Sequence, residues 1–202
     1  FTIHKRNETQ PVGGHQATGA SVVELFTGIR LVAHPEDDVT IYPHAKGPDD
    51  VLHALGTGEL EVLRHYRTPR MPAYPSARFG DFRARTRNST GSLSRGQVMA
   101  IGRRAASQYR EDHGMRGEVP HSWITLGDAE MAEGPLLESL PPVKRFGLTH
   151  ITFLPNINRQ GLDPSHYDGV AEWIRGQFEL SKIGTRELKF GSRLEALMAE
   201  EE

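Results

Sequence analysis

Apolar residues along this chain fall into two alternating rhythms, helical and extended, most clearly in its second half. Over residues 94–110, Val98, Ile101, Ala105 and Tyr109 recur at the three- and four-residue spacing that lines one face of a helix. His-Ser-Trp-Ile-Thr-Leu at 121–126 then reads as a buried strand stopped by Gly127. Residues 132–140 return to helical spacing, and Pro141-Pro142, which lack amide donors, are expected to close that helix. A strand at 149–154, a helix at 168–180, a strand at 186–190 and a terminal helix at 193–201 complete the series. Strand and helix in strict alternation predict an α/β fold: a doubly wound, mostly parallel sheet with helices on both faces.

The first half is less regular. Residues 1–20 are polar and contain the turn Gly13-Gly14-His15, so they read as an irregular N-terminal arm. Residues 21–32 predict a helix burying Val22, Val23, Leu25, Phe26, Ile29 and Leu31. Val39-Thr-Ile-Tyr is a short strand halted by Pro43, feeding a loop that holds His44. Asp49-Asp50 is an N-cap signal for a helix carrying Val51, Leu52, Leu55 and Leu60, shortened by Gly56 and Gly58. Residues 66–88, with Pro69, Pro72, Pro75 and many arginines, predict a long surface excursion.

Composition narrows the function classes. A chain of 202 residues with 37% hydrophobic content suits one domain, 1–202. A net charge of -2 gives no general reason to expect nucleic acid or an anionic membrane as partner, so a bound anion needs a local site. The absence of cysteine excludes disulfides, thiolate catalysis, zinc-thiolate centres and iron–sulfur clusters, leaving oxygen and imidazole as metal ligands. No apolar run approaches the roughly 18 residues that would span a bilayer, and residues 1–6 lack a signal-peptide pattern, so the expected location is cytoplasmic.

In an open parallel sheet ligands gather at the carboxyl ends of the strands. Two segments there carry chemistry: Gly127-Asp128-Ala129-Glu130 after one expected strand and Asn156-Ile157-Asn158-Arg159-Gln160 after the next. Small residues beside an Asp let a phosphate approach the backbone, and the carboxylate offers a hard oxygen to Mg2+. Taken alone, the first segment also reads as a plain strand-to-helix turn with acidic residues favouring the helix dipole.

Together the two segments resemble the motif of thiamine-diphosphate-dependent enzymes, and most closely the homodimeric-type pyruvate dehydrogenase decarboxylating component. Gly13-Gly14-His15, the run from Asp38 to His44, Gly58-Glu-Leu60, Asn156-Ile-Asn158-Arg-Gln160-Gly-Leu-Asp163 and Gly191-Ser192-Arg193 fall in that family's order. Thr90-Gly-Ser-Leu-Ser-Arg-Gly96 is similar to a transketolase-type turn, and Gly134-Pro-Leu136 to phosphoketolases. The resemblance implies a thiamine-diphosphate-binding fold with two cofactors, thiamine diphosphate and Mg2+. It places Asp128 and Asn158 on the metal through side chains and Gln160 through its main-chain carbonyl. It puts Leu93, Gly127 and Ala129 along the diphosphate with Glu130 adjacent, and His15 and His44 opposite the reacting thiazolium and substrate.

The implied reaction is decarboxylation of a 2-oxo acid such as pyruvate with transfer of the two-carbon unit. The alternatives are transfer between sugar phosphates, or a non-catalytic subunit that keeps the fold. Ala129 replaces the commoner Gly, Ala132 stands where Asp is frequent, and Tyr42 stands where a Gln precedes the substrate-facing histidine. The family's pyrimidine-binding domain has no counterpart in these residues. The expectation is therefore an oligomer in which that domain or subunit acts in trans, with the chain inactive on its own.

Overall fold

The computed structural model of the chain describes residues 16–42, 56–65, 68, 91–115, 120–159 and 168–188. Its elements run α1 (Gln16–Ala20), α2 (Val23–Val32), β1 (Asp38–Thr40), a 3-10 segment (Leu60–His65), α3 (Arg95–Asp112), β2 (Ser122–Gly127), a 3-10 turn (Asp128–Ala132), α4 (Gly134–Arg145), β3 (Ile151–Asn156) and α5 (Val170–Leu180). Among the described residues the three strands form one parallel sheet in the order β1-β2-β3. The class is α/β. No helix among the described residues is long and apolar enough to cross a membrane.

Strand alternation builds two cores, one on each face of the sheet. Ile124 and Leu126 of β2, with Ile151 and Phe153 of β3, pack against Ala100 and Ile101 of α3, Leu136, Leu140 and Val143 of α4, and Val170, Ile174 and Phe178 of α5. Trp123 and Leu154 point the other way, joining Val39 and Ile41 against Phe26, Ile29 and Ala33 along α2. Helices thus cover both faces of the sheet.

Polar contacts fix the sheet's amino-terminal edge. The Asp37 carboxylate accepts the His121 N–H at 2.9 Å on Oδ1, and the His34 N–H at 2.8 Å and Trp123 Nε1–H at 2.9 Å on Oδ2. Burial alone would push this carboxyl up, but those three donors outweigh it and hold it below its ordinary value. Arg103 of α3 pairs with Asp38 of β1, and Arg104 Nε donates to the Thr149 carbonyl at 2.6 Å.

Several expectations are corrected. Residues 16–20 form the short helix α1 and not part of an irregular arm. The face α3 buries is Gly96, Gln97, Ala100, Ile101 and Arg104, while Tyr109 is 58% exposed, because Gln97 and Arg104 bring hydrogen bonds inward. Helix α4 runs through Pro141 and Pro142 to Arg145. Two donors are missing there, but continuing buries Val143, and Gly147 at φ 60° closes the end with Leu148 N–H on Val143 O and Gly147 N–H on Lys144 O. Residues 186–188 are not in a strand. Residues 189–190, the terminal helix at 193–201, residues 1–15, residues 49–55 of the expected helix and nearly all of the 66–88 excursion lie outside the described residues.

Candidate functional site at the carboxyl ends of the strands

The pairing Gly127↔Asn156 brings the ends of β2 and β3 level, so the two motif segments leave the sheet side by side. Asp128, 7% exposed, ties them together. Its Oδ1 accepts the Ala129 N–H at 2.9 Å and its Oδ2 the Arg159 N–H at 2.7 Å. Arg159 is held at φ 57°, a left-handed conformation costly for a residue with a Cβ, and the bond to Asp128 is what secures it.

Asn158 and Asn156 are anchored from the opposite side. Both donate Nδ2–H to Ser21 Oγ, at 3.1 Å and 2.8 Å, and the Ser21 hydroxyl donates in turn to the Thr18 carbonyl at 2.8 Å. Asn156 also donates to the Tyr42 hydroxyl at 3.0 Å. Tyr42, 1% exposed just beyond β1, lays its ring against Gly127: a Cβ there would sit 3.4 Å from Tyr42 Cε2. Burial, and behind it the charges of Glu130 and Asp128, push the phenol well above its ordinary value, against the lowering effect of Asn156.

Glu130 is an internal strut. It is 1% exposed, and its carboxylate accepts N–H groups from Ser94 at 3.2 Å, Gly127 at 3.1 Å and Gln97 Nε2 at 2.9 Å. Burial pushes its carboxyl up; the Gly127 and Ser94 amides pull against this, Glu133 adds to it, and the result is about 7. The strut holds the amino end of α3 against the turn after β2, and half-buried Leu93 sits at that junction with its carbonyl accepting the Arg95 N–H at 2.8 Å.

Of the residues the sequence singles out, Leu93, Gly127, Asp128, Ala129, Glu130 and Asn158 therefore meet at one rim. His15, His44 and Gln160 lie outside the described residues. Among the described residues no three histidine or carboxylate side chains converge to hold a metal. The expected set, one carboxylate, one amide oxygen and one main-chain carbonyl, is of a different composition. Each Asp128 oxygen accepts one N–H and keeps lone-pair capacity for a cation, which is compatible with a magnesium ligand. Sequence reasoning misses Ser21, which shows only as the first residue of an apolar helical stretch, and gives Ser94 no role of its own within the 90–96 turn.

The chain matches no family model and no curated protein.

Proposed function

We propose that this chain is the diphosphate- and Mg2+-binding part of a thiamine-diphosphate-dependent enzyme of the 2-oxo acid dehydrogenase type, acting on pyruvate or a similar acid. The observation that carries the reading is the bond from Arg159 N–H to Asp128 Oδ2, which unites the two motif segments at adjacent parallel strand ends. A lone strand-to-helix turn has no need of that junction.

In this reading Asp128 and Asn158 hold the metal through side chains and Gln160 through its carbonyl. Gly127 and Ala129 let the diphosphate near the backbone, Leu93 lines it, and Glu130 fixes the distance between the 127–130 turn and α3. His15 and His44 face the substrate. Bound thiamine diphosphate supplies the electron sink for decarboxylation; the protein's share is to place and shield it. A pyrimidine-binding domain or subunit in trans completes the site.

One observation favours a second reading, a non-catalytic subunit. Tyr42, where the resemblance calls for Gln, is committed to packing on Gly127 and to the bond from Asn156. The deciding experiment is turnover of pyruvate, with a ketose phosphate in parallel, by the chain together with its pyrimidine-binding partner. Pyruvate decarboxylation that Asp128→Ala abolishes supports the first reading, and turnover of the ketose phosphate alone moves the protein to the transketolase-like branch. Turnover unchanged by Asp128→Ala rules out the assigned site.

A further inference from the structure

We propose that the rim carries a phosphoryl-binding cradle built from the Ser94 hydroxyl and the Arg95 and Arg159 guanidiniums. The inference rests on reading the strand ends as a ligand site, but it needs no metal.

Ser94 is the N-cap of the 18-residue helix α3, yet its side chain makes no capping bond. It stands at φ 61°, ψ -20°, a left-handed geometry that suits glycine, and not the extended geometry from which a serine reaches back to the helix amides. The residue is 1% exposed and its Oγ has no hydrogen-bond partner among the described residues. A buried hydroxyl left unpaired in a strained backbone costs stability twice over. Its position at the positive end of a long helix gives it a use when an anion arrives.

The neighbouring charges point to the same chemistry. Arg95 opens α3 with no acidic residue in the first turn, adding a cation where the helix dipole disfavours one. Arg159 leaves the backbone at the residue whose N–H is held by Asp128. Both arginines are exposed, and neither is in an ion pair with a described residue.

A continuous set of bonds relates the three groups. Ser94 N–H meets Glu130 Oε1, Glu130 folds back on the Gly127 N–H, and Asp128 beside it takes the Arg159 N–H. The backbone amides of Ser94 and Arg159 are therefore both bonded to the 127–130 turn, and each arginine springs from the chain at or next to one of these two anchor points. Glu130 offsets part of the positive end from inside, through the Ser94 amide, and leaves the hydroxyl and both guanidiniums unspent. A hydroxyl donor and two forked cations carried on different segments match the chemistry of a multi-oxygen anion such as a phosphoryl group. That group is either the diphosphate of the cofactor or the phosphate of a phosphorylated substrate.

The test is calorimetric titration with inorganic pyrophosphate in the presence of EDTA. Wild type is compared with Ser94→Gly, Arg159→Leu and Asp128→Asn, with thermal midpoints recorded for each. Ser94→Gly and Arg159→Leu are each expected to weaken metal-free pyrophosphate binding at least tenfold. The thermal midpoint of Ser94→Gly should not fall, because glycine relieves the left-handed position. Asp128→Asn, whose amide oxygen still accepts the Arg159 N–H, should keep metal-free pyrophosphate binding while weakening Mg2+-dependent binding of thiamine diphosphate. Displacement of pyrophosphate by thiamine diphosphate at lower concentration than by fructose 6-phosphate names the cofactor as the source of the phosphoryl group, and the reverse order names the substrate. Absence of pyrophosphate binding, or equal binding in wild type, Ser94→Gly and Arg159→Leu, overturns the cradle. Mg2+-dependent thiamine diphosphate binding that survives such a result leaves the proposed function standing.

Discussion

Replacing Glu130 by Gln should flatten the pH dependence of stability between pH 5 and 8. In the folded chain burial raises the Glu130 carboxyl to about 7, from 4.5 for an unperturbed group. A carboxyl raised in the folded state favours folding when protonated, so its contribution is complete below pH 4.5 and is lost as the pH rises through 7. The interval between the two values, at about 1.4 kcal/mol per pH unit, corresponds to about 3 kcal/mol of stability. The substituted amide cannot ionise and escapes that loss. It carries a different cost: its nitrogen must face one of the N–H donors from Ser94, Gly127 or Gln97, leaving a buried donor unmatched at about 1–3 kcal/mol. The Glu130→Gln variant should therefore be clearly less stable than wild type at pH 5 and close to it at pH 8. The assay is urea unfolding followed by circular dichroism at pH 5, 6, 7 and 8 without divalent metal. Taking the difference between the two proteins at each pH cancels the titrating groups that do not interact with Glu130, His121 included. A difference that stays constant across the range would falsify the assignment of Glu130 as a buried, raised carboxyl.

Asp37→Asn should lose about 1–3 kcal/mol at neutral pH, because an amide cannot accept from three donors on both of its polar atoms. Since the Asp37 carboxyl lies below its ordinary value, its contribution is present above pH 3.8 and declines as the pH falls through the lowered folded value, so urea midpoints of the two proteins should converge in acid. Met131→Ala, at a fully buried position in the core between β2, α4 and α5, should cost about 2–5 kcal/mol by chemical denaturation; a loss under about 1 kcal/mol contradicts the packing described.

Much of the fold is legible because its elements are amphipathic. The strands at Trp123–Leu126 and Ile151–Leu154 and the helices flanking them announce themselves by β-branched runs and helical spacing, and their alternation gives the parallel sheet. The errors have local causes. Pro141-Pro142 outweighs the Phe-Gly-Leu signal at 146–148, whose left-handed Gly147 marks where α4 ends. Pattern reading puts the face of α3 on Tyr109 because it credits apolar residues, whereas burial here goes to Gln97 and Arg104, which hydrogen-bond to Thr125 O and Thr149 O. At the site, the juxtaposition of Asp128 with the 156–159 turn follows from strand-end logic. The roles of Ser21, Tyr42 and Ser94 depend on contacts between distant residues, which spacing along one chain does not encode.

The most direct test of the central claim is calorimetric titration of thiamine diphosphate, with Mg2+ and again with EDTA, into wild type and Asp128→Ala, each alone and with any co-purifying partner. Saturable binding to wild type that needs Mg2+ and is lost in Asp128→Ala is the expected result. Binding that is indifferent to both the metal and Asp128, or no binding to wild type in either preparation, contradicts it.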